Sequence, residues 1–168
     1  MKYSRFEELP VWRDAIEVAV ETYALTAKAQ FKGQYSLRNQ IERAAVSISN
    51  NIAEGFERGT TQELLTFLYI ARGSAGEVRS MLCLFERLLE IDNLRSEISD
   101  LRSRVESVRR QIRAWADSLQ NSSIKGHRYL NDKSCRREKN IKEQQEFMEE
   151  FRRAQAKNIR SSRSRTAN

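Results

Sequence analysis

Six arginines crowd one late stretch of the chain: Arg95, Arg102, Arg104, Arg109, Arg110 and Arg113. A guanidinium is planar, always charged, and donates in a fork that fits phosphate oxygens. Helical spacing puts Arg102, Arg109 and Arg113 on one stripe, with Arg95 extending it. Few carboxylates share that line, which would make it a phosphate-binding surface. Glu97, Asp100, Glu106 and Asp117 are interleaved in the same stretch, however, and a solvated face laced with ion pairs is the competing reading. The two stand level on sequence alone. Lys125, Arg128, Arg136 and Arg137 follow the stretch and join it as candidate nucleic-acid contacts.

A second constellation lies earlier. Arg43, Ser47, Asn51, Glu54 and Arg58 recur at helical steps beside an apolar line. An ordinary solvated helix face is richer in Lys and Glu and poorer in Ser and Asn. The line therefore reads as a polar seam facing another helix, with Ser74 and Glu77 as its partners there. Burying such groups is costly unless they are paired, so the seam is expected to fix helix register or a subunit contact. Glu54 and Glu77 resemble the facing carboxylates of a di-iron bundle, but that chemistry needs Glu-x-x-His pairs and the chain has none. The expectation is a buried carboxylate paired with Arg43 or Arg72.

Other chemistry is poorly supplied. The single histidine, His127, sits beside Gly126 and Arg128 and reads as a loop residue. No Cys/His spacing suits zinc, no Ser-His-Asp set forms naturally, and no glycine-rich phosphate loop is present. Cys83 and Cys135 are expected as free thiols. The reading is a non-enzyme without cofactor or metal.

Four apolar stripes have to position these residues. The first helix is predicted from Pro10 to about Gln30, with Trp12, Ile16, Ala19, Tyr23 and Thr26 inward and Gly33 as its stop. The second runs from Ser36, its expected N-cap, to Arg58, with Leu37, Ile41, Ala44, Ala45, Ile48 and Ile52 inward. Thr60 and Glu63 form a capping box that opens the third, which runs to about Glu90 with Leu64, Phe67, Leu68, Ala71, Ala75, Val78, Leu82, Phe85 and Leu89 inward. Gly73 and Gly76 interrupt it at a cost of about 1 kcal/mol each against Ala, for which close helix–helix approach is the simplest compensation. Asp92 or Asn93 caps the fourth, whose seam of Leu94, Ile98, Leu101, Val105, Val108, Ile112, Trp115 and Leu119 keeps a heptad step.

The predicted fold is all-α: an up-down-up-down four-helix bundle over residues 1–121, a linker over 122–132, and a basic extension over 133–168. The extension carries only Ile141, Phe147, Met148 and Phe151 as large apolar residues in its helical part, so it is expected to be partly helical or disordered. With one Pro and six Gly in 168 residues, strong breakers are scarce. The formal charge is +7. Residues 1–124 hold 17 Lys+Arg against 17 Asp+Glu, and residues 125–168 hold 13 against 6, so the excess lies in the tail. Such an arm suits a polyanion, with a solubilising tail as the bland alternative. No apolar run approaches a membrane span, and MKYSRFEELP lacks a signal-peptide core, so a cytoplasmic protein without membrane contact is the default.

FEELPVWRDAIE, and QIERAAVSISNNIAEGFERGTTQELLTFLYIARGSAGEV with its SI-x-x-N-I-A-E-G run, resemble a known family over roughly residues 5–120. It is the four-helix-bundle family first noted as proteins encoded within intervening sequences of bacterial large-subunit ribosomal RNA. The accessory variability determinants of diversity-generating retroelements are similar to it. The resemblance implies a homopentamer that binds nucleic acid, RNA or an RNA–DNA intermediate. In the retroelement branch it also implies a reverse transcriptase and its template RNA as partners. It marks Trp12, Gln40, Arg43, Ser47, Asn51, Glu54, Gly55 and Ser74, mostly as fold or assembly residues. A protein-interaction scaffold that touches no nucleic acid is the alternative.

Overall fold

The computed structural model describes residues 3–88 and 92–121, together with 143–145, 147, 148 and 152. Four long helices make the architecture: α1 (Pro10–Thr26), α2 (Tyr35–Glu57), α3 (Thr61–Leu88) and α4 (Arg95–Gln120), with short 3-10 turns at Phe6–Glu8, Ala29–Phe31 and Asp92–Leu94. There is no β-strand among the described residues. The helices pack in a ring in chain order, and α1 also meets α4. Cross-helix contacts run in opposite senses along each pair. Gln40 and Ser47 of α2 meet Glu77 and Ser74 of α3. Glu86 and Arg79 of α3 meet Arg102 and Glu106 of α4. Lys28, just past α1, and Glu21 within it meet Glu97 and Arg104 of α4. Neighbouring helices therefore alternate in direction, and the expected bundle is the one observed.

The core follows the stripes on α2, α3 and α4. Ile41, Ala44, Ala45, Ile48 and Ile52 are buried, and Leu37 is half-buried at the open end. On α4 the heptad seam holds: Leu94 through Ile112 are buried at every predicted step, and Trp115 and Leu119 pack against the core at its edge.

Helix α1 departs from expectation twice. It stops at Thr26, because the chain must turn for Phe31 to enter the core, where its ring meets Phe85 edge-on at 4.9 Å. Its buried face is Val11, Ala15, Val18, Thr22 and Leu25, with Ala19 and Thr26, about one residue round from the predicted line. Small and aliphatic side chains fill most of that face. Tyr23 and Val20 are left outside, 50% and 56% exposed, and Trp12 stacks edge-on against Phe6 at the rim. Thr22 is tolerated inside because its hydroxyl donates to the Val18 carbonyl at 2.7 Å.

The helix ends also differ in detail. The capping box at α3 is present: the Glu63 amide donates to Thr60 Oγ1 at 3.2 Å, and that hydroxyl donates to Glu63 Oε2 at 2.7 Å. The other two caps are absent. Helix α2 begins at Tyr35 behind Gln34, and α4 behind Leu94, neither with a side-chain cap. Ser36 is already inside the first turn, and Asp92 and Asn93 belong to the preceding 3-10 turn. Gly33 takes a left-handed φ of 81°, which turns the chain into α2.

The chain divides into compact units at residues 128/129. In the second unit, residues 143–145, 147, 148 and 152 are helical, with Phe147 and Met148 exposed. The remainder of the predicted linker and extension lies outside the described residues.

Candidate nucleic-acid interface

The α4 arginines are the first test of a phosphate surface, and carboxylates meet most of them. Arg95 Nε donates to Asp92 Oδ1 at 2.8 Å. Arg102 Nη1 reaches across to Glu86 Oε2 on α3 at 3.0 Å, and Arg104 Nε to Glu21 Oε2 on α1 at 3.0 Å. Arg109 grips Glu106 with two bonds, Nε to Oε2 at 2.9 Å and Nη2 to Oε1 at 2.6 Å. Arg79 of α3 approaches the same carboxylate at 2.9 Å. Arg113 lies 3.5 Å from Asp117. Arg110 is exposed and has no carboxylate within 4 Å among the described residues.

Of the two readings that stood level, the face laced with ion pairs is the one observed: Arg95, Arg102, Arg109 and Arg113 each have a carboxylate within 4 Å. The reason is reach. Glu86 reaches Arg102 from α3, and Asp92, Glu106 and Asp117 lie three or four residues along the chain from Arg95, Arg109 and Arg113, all within range of a long guanidinium. The bond from Arg109 holds the Glu106 carboxyl below its ordinary range, with the fields of Arg79 and Arg110 adding to it. Lys125, Arg128, Arg136 and Arg137 lie outside the described residues.

The polar seam is real on its α3 side. Ser47 Oγ and Ser74 Oγ are 2.9 Å apart, Asn51 Nδ2 donates to the Ser47 carbonyl at 2.7 Å and to its Oγ at 2.9 Å, and Gln40 Nε2 donates to Glu77 Oε1 at 3.1 Å. Its carboxylates are not buried, contrary to expectation. Glu54 is exposed and pairs one turn along with Arg58. Glu77 is exposed and takes Gln40. Among the described residues neither Arg43 nor Arg72 meets a carboxylate; Arg72 lies over the Tyr69 ring at 5.1 Å. The seam is the half-covered edge of α2, with its outer side open.

Two concavities flank that edge. One, of about 520 Å³, lies toward α3 and is lined by Ser36, Asn39, Gln40, Arg43, Ser47 and Glu77, with Ala44 at its base. The other, of about 330 Å³, lies toward α1 between Tyr23, Arg43, Val46 and Asn50, with Ser47 and Asn51 behind. Arg43 and Ser47 belong to both. Sequence reasoning did not find Tyr23 here because it assigned that ring to the core.

The roles of the glycines are also exchanged. Gly55 is the point of close approach: a Cβ there would lie 2.7 Å from Phe67 Cβ and 3.1 Å from Leu64 Cδ1. Around Gly73 and Gly76 a Cβ would meet nothing within 4 Å, so no contact within the protomer offsets their cost. Ile70 and Leu84 flank them on α3, 46% and 37% exposed. Cys83 is a free, exposed thiol; Cys135 lies outside the described residues. Among the described residues no group of His, Cys, Asp and Glu is placed to hold a metal, and no helix is long and apolar enough to cross a membrane.

Comparison with known families matches residues 7–114 to the model of the 23S rRNA-intervening sequence protein. That span runs from the first 3-10 turn into the last third of α4 and leaves the basic extension outside it. No curated protein matches the chain.

Proposed function

The chain belongs to the 23S rRNA-intervening sequence protein family, and from that premise we propose that it is a non-enzymatic, RNA-binding homo-oligomer of the cytoplasm. In its sharper form it is a homopentamer that serves as accessory subunit to a retroelement reverse transcriptase and its template RNA. The observation that carries the reading is the separation of charge from packing. The bundle holds 17 cations against 17 anions through residue 124, and most of its α4 arginines already have carboxylate partners. The net +7 belongs to residues 125–168. Phosphate neutralisation thus falls mainly to the extension, with Arg110 as the α4 contribution, and repetition of the tail around an oligomer would multiply it. Each phosphate neutralised releases counterions, so binding should weaken steeply with salt.

The test keeps the full chain and changes Lys125, Arg128, Arg136 and Arg137 to Gln. Binding of a structured RNA is followed across a salt series. The reading expects tight binding by the native chain and a salt slope smaller by roughly 0.7–0.9 for each phosphate that no longer has a cation beside it. Absence of binding by the native chain removes it.

A second reading, a protein-interaction scaffold without nucleic acid, is favoured by the outer face of α3. There Ile70 and Leu84 flank two glycines with open space above them. A protein partner retained after nuclease treatment, with no RNA affinity, would support that reading instead.

A further inference from the structure

Most cations on the bundle meet a carboxylate or a ring; Arg43 is an exception in the middle of a built surface. It is exposed, has no carboxylate within 4 Å among the described residues, and stands on the ridge shared by the two concavities of α2. The groups around it are mostly amides and hydroxyls, with the Glu77 carboxylate on the α3 side and the Tyr23 ring half-exposed on the α1 side. The inner wall is already fixed. Asn51 is tied to Ser47, and Ser47 to Ser74, so the ridge is held by hydrogen bonds within the bundle. Asn39 and Asn50 are exposed on either side of it.

We infer that this face is a seat for a single-stranded segment of RNA, with one base stacked on Tyr23, a phosphate on Arg43, and the amides of Asn50 and Asn39 turned to base edges. The residue types match that chemistry. An exposed ring offers a stacking platform for any base. Asn and Gln amides pair with base edges through one donor and one acceptor, and an unpaired guanidinium takes a phosphate. Glu77 marks the limit of the seat: its carboxylate, engaged by Gln40, repels phosphate at the α3 rim and directs the backbone toward the Tyr23 side. A protein partner fits less well. Interface centres are apolar and anchored by large side chains, whereas the aliphatic lining here is Val46 and Ala44. Exposed large aliphatic side chains lie elsewhere, at Ile70, Leu84 and Leu88 on α3 and at Val20 on α1.

The inference rests on the RNA-binding reading, and one set of measurements separates the two. A labelled mixed-sequence single-stranded RNA of about a dozen nucleotides and its duplex are titrated with the full-length native protein, Y23A, Y23F and R43Q. All variants change exposed side chains, and circular dichroism confirms that they fold. The expected result is preference for the single strand, a roughly 5- to 100-fold loss in Y23A restored in Y23F, and a salt slope lower by about 0.7 in R43Q. If the native protein binds neither RNA, the RNA-binding reading falls and this seat with it. If the native protein binds but Y23A and R43Q bind equally well, the seat alone is overturned and the tail keeps its role. If Y23A or R43Q shifts the sedimenting mass, and affinity falls only with it, the face is a contact between copies of the chain and the seat is likewise overturned.

Discussion

Among single residues, two kinds of glycine stand in contrast. Gly55 lets α2 sit directly on Phe67 and Leu64, so Gly55→Ala forces backbone or side chains apart and should destabilise the bundle by about 1–3 kcal/mol in denaturant unfolding. Gly73→Ala and Gly76→Ala meet open space and should each stabilise the protomer by about 0.5–1 kcal/mol. A destabilised protomer in the last two would show a contact there that the bundle does not contain. A second prediction at this level concerns Glu106. Its carboxyl is held below the ordinary value of 4.5, first by the Arg109 bonds and further by the fields of Arg79 and Arg110. A carboxyl depressed in the folded state contributes stability that is present above its unfolded value and lost as the pH falls through the folded one. Carboxyl-carbon NMR should place the Glu106 midpoint below 4.5, and Arg109→Gln should move it upward. An unchanged midpoint would separate the pair.

Among the helices, three stripes out of four were legible because each helix offers a single apolar line. On α2, α3 and α4 most of the residues that the helical step selects are buried, with Leu37, Phe67, Trp115 and Leu119 half-buried and Phe56, Leu65, Met81 and Ala116 joining the core beside the predicted lines. On α1 two lines overlap, one aromatic and amphipathic through Trp12, Ile16 and Tyr23, the other aliphatic through Val11, Val18 and Leu25. Period alone cannot rank them; the two large aromatics, whose polar tips seek an outlet, stay at the surface and the line goes with them. The arginine stripe was only half legible. Glu106 and Asp117, which meet Arg109 and Arg113, lie along the same helix and are the ground of the competing reading, whereas Glu86, which meets Arg102, comes from α3. The capping box was visible because both its residues are local, whereas the turn before α2 is set by Phe31 entering the core far away in sequence from Phe85. That ring is the anchor of the α1–α2 connection. Phe31→Ala should cost about 3–5 kcal/mol, and Thr60→Ala, which removes the α3 cap, about 1 kcal/mol, both read from denaturant midpoints at unchanged slope. A Phe31→Ala cost below about 1 kcal/mol, well short of the usual aromatic truncation, would mean the connection is held elsewhere.

For the protein as an assembly, the proposed homo-oligomer would place its contact between copies on the outer face of α3. Ile70 and Leu84 are exposed, and the two glycines between them allow a helix backbone to approach closely. The double variant G73L/G76L should keep the helical signal of the protomer and lower the sedimenting mass; an unchanged mass would move the contact to another face. The distribution of roles along the chain has a separate consequence. Every buried side chain that the structure describes comes at or before Ala116, and the surplus of positive charge comes after residue 124. Substitutions in the first region alter how firmly the rods hold together while leaving the electrical balance alone, and those in the second do the reverse. A lineage carrying this chain could therefore reset the charge of its extension many times over without renegotiating a single packed side chain.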